Sequence, residues 1–98
     1  MDDAIARLND ALNVDYDNQE ALYALGGIYR QLGNTAQAEH YLSQAIKVDP
    51  SAHETWLELG LTMQAQSLAD HAANCFMTAL ELEHTAAIRP FADVALSL

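Results

Sequence analysis

Apolar residues recur three and four positions apart along almost the whole chain, and polar residues separate them. This spacing is typical of amphipathic helices, each of which turns one stripe of side chains towards a core. No segment has the residue-by-residue alternation of a half-buried strand, and four glycines and two prolines are too few for a fold of many short strands. The pattern predicts an all-α chain with about six helices, at residues 2–15, 19–32, 35–48, 53–66, 69–83 and 88–97.

Polar signals at the predicted helix ends agree with this division. The segment Ser51 to Glu54 has the form of a capping box, in which the serine and glutamate side chains satisfy backbone N–H groups at a helix start. Asp17 to Glu20 and Asn34 to Gln37 have related patterns. Gly33 suits the position just beyond a helix end. Pro50 also predicts a helix end, because the residue before a proline avoids the helical region.

The chain repeats itself with a period of 34 residues. Leu25-Gly26 recurs as Leu59-Gly60, and the residue types around these pairs agree through a helix, a turn and a second helix. Chance similarity between two amphipathic helices would not keep register over that distance, so the period indicates a helix–turn–helix solenoid. The other equivalent pairs are Glu20 and Glu54, Leu22 and Trp56, Ala38 and Ala72, Leu42 and Phe76, Ala45 and Ala79, and Ile46 and Leu80.

Residue size gives this period a physical basis. Gly26 and Gly60 would let the two helices of each hairpin approach closely, and Leu42 and Phe76 are bulky enough to fill the space around them. Packed helices interdigitate when large residues lie opposite small ones. We therefore expect each repeat to be one closely packed hairpin.

These residues resemble the tetratricopeptide repeat, whose pattern holds a Trp or Leu, a Leu-Gly pair, an aromatic residue, later small and aromatic residues, and a closing proline. Residues 19–52 and 53–86 resemble full repeats, residues 1–16 the second helix of a truncated repeat, and residues 87–98 a C-terminal capping helix. The resemblance implies one domain of antiparallel helix hairpins in a right-handed superhelical solenoid. The matching residues are Leu22, Leu25, Gly26, Tyr29, Ala38, Leu42, Ala45, Pro50, Trp56, Leu59, Gly60, Met63, Ala72, Phe76 and Ala79, with His84 in place of the second proline.

The C-terminal half contains four more specific segments, which are His53 to Trp56, Gln64 to Gln66, Asn74 to Glu83, and Pro90-Phe91. In these segments it is similar to the last repeats of the tetratricopeptide repeat protein 7 family. That family is a cytosolic scaffold of the plasma-membrane phosphatidylinositol 4-kinase alpha complex and pairs with hyccin-type subunits. The resemblance implies a non-catalytic scaffold that is cytoplasmic and reaches the plasma membrane through its partners. A generic tetratricopeptide adaptor for another partner is the alternative.

Charge and composition exclude several kinds of partner. Fourteen acidic residues stand against four basic ones, which gives a formal net charge of −10, and the basic residues are isolated from one another. Nucleic acids and anionic membrane surfaces are bound by clusters of Lys and Arg, so neither is expected as a direct partner. No apolar run reaches the roughly 18 residues of a transmembrane helix, so no direct membrane insertion is expected.

Catalysis and metal binding have little support in the sequence. The four histidines lack the spacing of a metal motif, so we expect neither a metal nor another cofactor. The single cysteine, Cys75, excludes an internal disulfide, and its place beside Phe76 favours a buried thiol over a nucleophile. The alternative from a different class is a small enzyme that uses Cys75 and a histidine, and the reactivity of the thiol in the folded protein distinguishes the two.

A partner-binding surface has more support. In the tetratricopeptide resemblance, the first helix of each repeat lines the concave side of the superhelix. Leu57 and Leu61 lie one helical turn apart and off the main packing face, with Tyr23 on the neighbouring helix. An apolar strip flanked by glutamates would suit a helix or an extended segment with apolar anchors and basic flanks. The predicted partner-binding residues are Glu20, Tyr23, Gly27, Arg30, Glu54, Leu57, Glu58, Leu61 and Gln64.

Two further expectations bear on the surface of the chain. Leu57 and Leu61 could instead pack on the adjacent helix, since leucines that look exposed are often ordinary. The first helix lacks its hairpin partner, and its stripe of Ile5, Leu8 and Leu12 would then favour self-association. We therefore expect the chain to be a piece of a longer repeat array, or to associate through this end.

Overall fold

Five helices joined by short turns make up the computed structural model, which describes the backbone of residues 2–97 and the side chains of residues 3–85. No strand occurs between residues 2 and 97, so the prediction of an all-α fold is confirmed. The helices are α1 (Asp2–Val14), α2 (Gln19–Gln31), α3 (Thr35–Val48), α4 (His53–Ala65) and α5 (Ala69–Ser97). The helices α2 and α3 form the inner hairpin, α4 and α5 form the outer hairpin, α1 packs on α2, and α4 contacts both α2 and α3.

The last helix is continuous where two helices were predicted, so residues 2–97 form five helices rather than six. In the inner hairpin, Pro50 closely follows the end of α3 at Val48. The equivalent position of the outer hairpin holds His84, which keeps its backbone N–H and can continue a helix. The side chains of the predicted capping segment, residues 87–98, lie outside the described part of the chain.

A glycine closes the turn of the inner hairpin. Gly33 has a φ of +82°, in the left-handed region that costs other L-residues about 1–2 kcal/mol. Its N–H donates to the carbonyl of Arg30, and the N–H of Asn34 donates to that of Tyr29, at 3.0 and 2.9 Å. This pair of hydrogen bonds is a Schellman motif. The Asn34 side chain then accepts from the N–H of Gln37 at 3.2 Å and begins α3, so both signals predicted at this turn are confirmed.

The other two helix starts differ from the prediction. The side chain that caps α2 is Asn18, which accepts from the N–H of Ala21 at 3.1 Å. No side chain caps α4, which begins after Ala52. Ser51 instead donates from its backbone N–H and its hydroxyl to the Asp49 carboxylate, at 3.0 and 2.6 Å. The predicted capping box is therefore wrong, because a nearby carboxylate accepts the hydroxyl and the helix begins one residue later.

The interior of each hairpin follows the predicted contrast of large and small residues. A Cβ added at Gly26 would lie 2.4 Å from Cγ of Leu42, and one added at Gly60 would lie 2.6 Å from Cε1 of Phe76. Both distances are far below the 3.5–4.0 Å at which carbon atoms pack favourably. The glycines therefore permit the close approach of the helices. The buried apolar residues are Ala21, Leu22, Leu25, Ala38, Leu42, Ala45, Leu59, Ala72, Cys75 and Ala79.

Candidate partner-binding surface

The predicted surface is built by α2 and α4, the first helices of the two hairpins, which contact each other directly. At one end of this contact, the amide of Gln19 donates to the buried hydroxyl of Thr55, with 3.0 Å between Nε2 and Oγ1. A second polar contact joins the hairpins where the amide of Gln66 donates to the Glu39 carboxylate at 3.4 Å. The inner and outer hairpins are therefore joined by polar contacts near both ends of α4.

An ion pair crosses the junction between these helices. Nε of Arg30 donates to Oε2 of Glu58 at 2.6 Å, and both side chains are partly buried. Gly27 faces the same carboxylate, because a Cβ built on it would lie 4.0 Å from Oε2. Charge-assisted pairs of this kind are among the stronger hydrogen bonds in proteins. Glu58 was predicted to select basic partners, but its charge is already matched within the chain.

Tyr23 lies beside this pair and is half-buried, packed against the core that Leu42 and Leu59 share. Burial raises the pKa of the Tyr23 phenol, and the carboxylates of Glu58 and Glu54 raise it further, whereas Arg30 lowers it. The phenol therefore stays neutral near pH 7 and can donate a hydrogen bond. This places a neutral polar group on the floor of the predicted surface.

The two leucines of the predicted surface are on the far side of α4. At about 100° per residue, Leu57 and Leu61 lie away from Thr55 and Thr62, the two residues of α4 that are fully buried. Their exposed fractions are 38% and 37%. They pack only in part, which is compatible with the binding interpretation and with the packing interpretation.

The predicted set thus divides between a covered part and an accessible part. Tyr23, Gly27, Arg30 and Glu58 come together at the junction of α2 and α4 and are partly buried. The other five predicted residues are exposed. They are Glu20, Glu54, Leu57, Leu61 and Gln64.

Sequence reasoning missed the ion pair between Arg30 and Glu58. No short motif marks it, because the residues are 28 positions apart on different helices. The predicted stacking of the two hairpins was the only available signal, since it places the first helices side by side. Register between them depends on how the helices pack, and the 34-residue period does not specify it.

The alternative interpretation, a small enzyme that uses Cys75 and a histidine, depends on a reactive thiol. Cys75 is buried, as predicted, and burial raises the pKa of its thiol. A raised thiol pKa disfavours the reactive thiolate. Among the described residues, no three His, Cys, Asp or Glu side chains are grouped closely enough to hold a metal ion. No helix in that part is both long enough and apolar enough to cross a membrane.

The stripe on α1 is less exposed than predicted. Ile5, Leu8 and Leu12 are each of intermediate burial, because α1 packs on α2. The most exposed apolar side chains near this end are Val14 and Tyr16, at the end of α1 and in the following turn. Self-association through the stripe therefore remains a prediction, and the apolar area available for it is smaller than the sequence suggests.

Comparison with known proteins first gives the class of the chain. Residues 19–62 match the family model of the tetratricopeptide repeat. A crystal structure of MamA superposes with a TM-score of 0.81 at 28% sequence identity, over 85% of this chain and 48% of that chain. A second MamA structure gives a TM-score of 0.77. The resemblance to the tetratricopeptide repeat drawn from the sequence is confirmed.

The sequence relatives agree with the narrower resemblance. Tetratricopeptide repeat protein 7A of Homo sapiens is 33% identical over 94 residues, which are 96% of this chain. Tetratricopeptide repeat protein 7B of Homo sapiens is 38% identical over 91 residues, or 93% of this chain. Protein NPG1 of Arabidopsis thaliana is 27% identical over 96 residues. The chain spans 11% of the length of each of the two human relatives.

Proposed function

We propose that the chain is a non-catalytic protein-interaction module of a scaffold subunit in the plasma-membrane phosphatidylinositol 4-kinase alpha complex. The observation that carries this proposal is the similarity to tetratricopeptide repeat proteins 7A and 7B over more than nine-tenths of the chain. The repeat fold supports it, because solenoids of this kind present extended surfaces to other proteins. The proposed partners are a hyccin-type subunit and the kinase itself.

The accessible part of the predicted surface determines the chemistry of the partner. Leu57 and Leu61 supply apolar anchors, and the exposed carboxylate of Glu54 lies one turn before Leu57 on α4. Glu20 is exposed at the start of α2. Desolvated apolar anchors supply most of the affinity of an interface, while charges at its rim mainly set orientation and association rate. We expect a helix or extended segment with basic flanks. Glu58 contributes less to this selection than the sequence suggests, because Arg30 neutralises it.

The location follows from the same proposal. A module of this kind works in the cytoplasm and reaches the plasma membrane through its partners. Its own net charge of −10 would repel an anionic membrane surface. Neither a metal nor a cofactor is needed for such a role.

Affinity measurements with a purified hyccin-type subunit and with the kinase test the proposal. The chain should bind at least one of them, and Leu57→Ala should weaken that binding by roughly 1–3 kcal/mol, as expected for an anchor. Leu32→Ala is the control, because Leu32 is an exposed leucine at the C-cap of α2 and lies outside the predicted surface. Absence of binding to both proteins would contradict the proposal.

The stability of the same variant separates the two interpretations of Leu57. If it is an anchor, Leu57→Ala should unfold at nearly the temperature of the unsubstituted chain. If it belongs to the packing, the variant should unfold several degrees lower. A thermal melt followed by circular dichroism makes the distinction.

A further inference from the structure

One edge of the outer hairpin exposes positions that are partly buried in the inner hairpin. On the inner hairpin, Tyr23 and Gly27 of α2 are of intermediate burial. The residues 34 positions later are Leu57 and Leu61, and both are exposed. The difference in burial comes from the neighbouring helix rather than from residue type, since α4 lies over α2 and contacts it. No helix in the described part of the chain lies over α4 in the same way.

The second helices of the hairpins show the same difference. Ile46 of α3 is partly buried and packs against the core that includes Leu59 of α4. Its equivalent on α5 is Leu80, which is 63% exposed. Met77, one turn earlier, is 59% exposed, whereas its equivalent Ser43 is of intermediate burial. An apolar face on α5 is therefore open where the matching face of α3 is covered.

The two sets of residues lie at the same level of the outer hairpin. Gly60 packs directly on the Phe76 ring, and Leu61 and Met77 are the next residues on each helix. Leu57 precedes Leu61 by one turn on α4, and Leu80 follows Met77 by one turn on α5. We call Leu57, Leu61, Met77 and Leu80 the open edge.

The inner junction shows which kind of structure covers such an edge. There the covering element is α4, a helix of 13 residues that turns Thr55, Leu59 and Thr62 inwards and buries all three. A helix with small and apolar residues at a spacing of three and four therefore fits the edge. An extended segment would leave its backbone polar groups unpaired against an apolar face.

Charge decides between a second copy of the chain and a different protein. The exposed carboxylates of Glu54 on α4 and Glu81 on α5 lie within one turn of the open edge. Two copies would bring these carboxylates together, and each copy carries a formal net charge of −10. Like charges brought together across an interface oppose association. A helix with Lys or Arg beside its apolar face meets no such repulsion.

We propose that the open edge docks a basic amphipathic helix of a partner protein, in the position that α4 occupies on the inner hairpin. The proposal rests on the proposed scaffold function and narrows the site. Tyr23, Gly27 and Arg30 of α2 are partly covered at the junction with α4, so docking moves to α4 and α5. The docked helix extends the stack of helices rather than filling a groove across α2 and α4.

A pair of synthetic peptides tests this proposal with the 98-residue chain. Both are helix-stabilised versions of the α4 sequence, one with the glutamates at positions 54 and 58 replaced by lysine and one unchanged. Fluorescence anisotropy should show the lysine peptide binding at least tenfold more tightly than the unchanged peptide. The difference should shrink as salt is raised, because salt screens the exposed carboxylates.

Substitutions on the chain locate the binding. Leu61→Gln and Leu80→Gln should each weaken the lysine peptide at least fivefold, and Leu32→Gln, also at an exposed leucine, should leave it unchanged. A thermal melt of each variant shows that it is folded. Equal binding of the two peptides, no binding of either, or equal effects at Leu32 and Leu80 would overturn the proposal.

Two further measurements distinguish a partner helix from a second copy of the chain, and the open edge from the scaffold function. Light scattering that shows a dimer abolished by Leu80→Gln would assign the open edge to a second copy and overturn the proposal. A hyccin-type subunit can be tested on the same variants. If it binds the chain, Leu61→Gln and Leu80→Gln with equal affinity, the open-edge proposal is wrong while the proposed scaffold function stands. If the lysine peptide behaves as expected while neither proposed partner binds, the open edge stands and the scaffold function fails.

Discussion

The inner and outer hairpins share a 34-residue pattern but differ in the chemistry of their turns. The inner turn has Gly33 and Asn34, and the outer turn has Ser67 and Leu68 at the equivalent positions. Ser67 nevertheless has a φ of +62°. Its N–H donates to the carbonyl of Gln64 at 3.0 Å, and that of Leu68 to Met63 at 2.9 Å, which is the same Schellman pair.

This equivalence shows which level of structure determines the turn. Serine has no intrinsic preference for left-handed backbone, and leucine cannot cap a helix. The helices of the outer hairpin must therefore hold the turn in place by packing on each other. Local turn residues support the geometry of the inner hairpin, but the outer hairpin reaches the same geometry without them.

The interiors differ as well. Leu22 and Leu42 of the inner hairpin are almost completely buried, at 2% and 0% exposure. Their larger equivalents, Trp56 and Phe76, are of intermediate burial. The inner hairpin has α1 on one side and α4 on the other, so its core is enclosed. The larger side chains of the outer hairpin are therefore less buried, because that hairpin has a neighbouring helix on only one side in the described part of the chain.

The glycines at the hairpin contacts should give the largest difference between the two hairpins. Gly26→Ala would place a Cβ 2.4 Å from Cγ of Leu42, the branch carbon of a side chain with no exposed surface. Neither group can move away, so overpacking outweighs the gain of about 1 kcal/mol in helix propensity. We expect a net loss of about 2–3 kcal/mol of unfolding free energy, measured by urea denaturation.

Gly60→Ala is the matched variant in the outer hairpin. The nearest atom is Cε1 of Phe76, at 2.6 Å, on the ring of a half-buried side chain. The ring can turn outwards, so the loss should be about 1 kcal/mol or less. Equal losses at the two glycines would mean that the outer core is as rigid as the inner one.

The turn residues should show a smaller effect of opposite sign in the two hairpins. Ser67→Gly should raise the unfolding free energy by about 1 kcal/mol, because it removes a side chain from left-handed backbone. Gly33→Ser should lower it by a similar amount. Urea denaturation of the two single variants measures both changes. If Ser67→Gly gives no gain, the φ of Ser67 carries no strain.

Much of the fold could be predicted because it depends on periodic residues. The spacing of leucines and alanines marks the faces of the helices, and Gly26 and Gly60 mark the contacts within the hairpins. The breaks between helices were harder to predict. Pro50 closely follows the end of α3, whereas its replacement by His84 carries no stop signal, and the last helix continues past that position.

The candidate surface was predicted less well than the fold. The nine residues lie on α2 and α4 as expected, but the sequence did not show that Arg30 and Glu58 neutralise each other. Whether a side chain is free or covered depends on which helix lies over it. For this reason Tyr23 and Leu57, at equivalent positions, differ in burial. Residue type alone contains no such information.

The helix caps should give a still smaller difference between the hairpins. Asn34→Ala should lower the unfolding free energy by about 1 kcal/mol, because it removes the side chain that accepts from Gln37. Leu68→Asn should raise it by about 0.5 kcal/mol, since the new cap is partly offset by the loss of an apolar side chain. Thermal unfolding measures both. A loss on Leu68→Asn would show that the leucine is needed for packing.

The smallest expected effect concerns the two linkers that precede the hairpins. The side-chain carboxylate of Asp15 accepts one hydrogen bond, from the N–H of Asp17 at 3.2 Å. At the equivalent position, Asp49 accepts from both the N–H and the hydroxyl of Ser51. The hydroxyl bond of Ser51, and then its backbone bond, hold the pKa of the Asp49 carboxyl below its ordinary value.

The sign of the resulting pH dependence follows from linkage. A carboxyl whose pKa is lower in the folded state than in the unfolded state stabilises the fold above its unfolded pKa. That contribution is lost as the pH falls through the folded pKa. Asp49 should therefore add a small stability near neutral pH that disappears on acidification.

Ser51→Ala removes the hydroxyl donor and should raise the pKa of Asp49, measured by NMR titration of its carboxyl carbon. Asp17→Ala is the control, because the backbone N–H that Asp15 accepts from is retained, and the pKa of Asp49 should not move. An unchanged Asp49 pKa in Ser51→Ala would show that the backbone N–H alone stabilises the carboxylate.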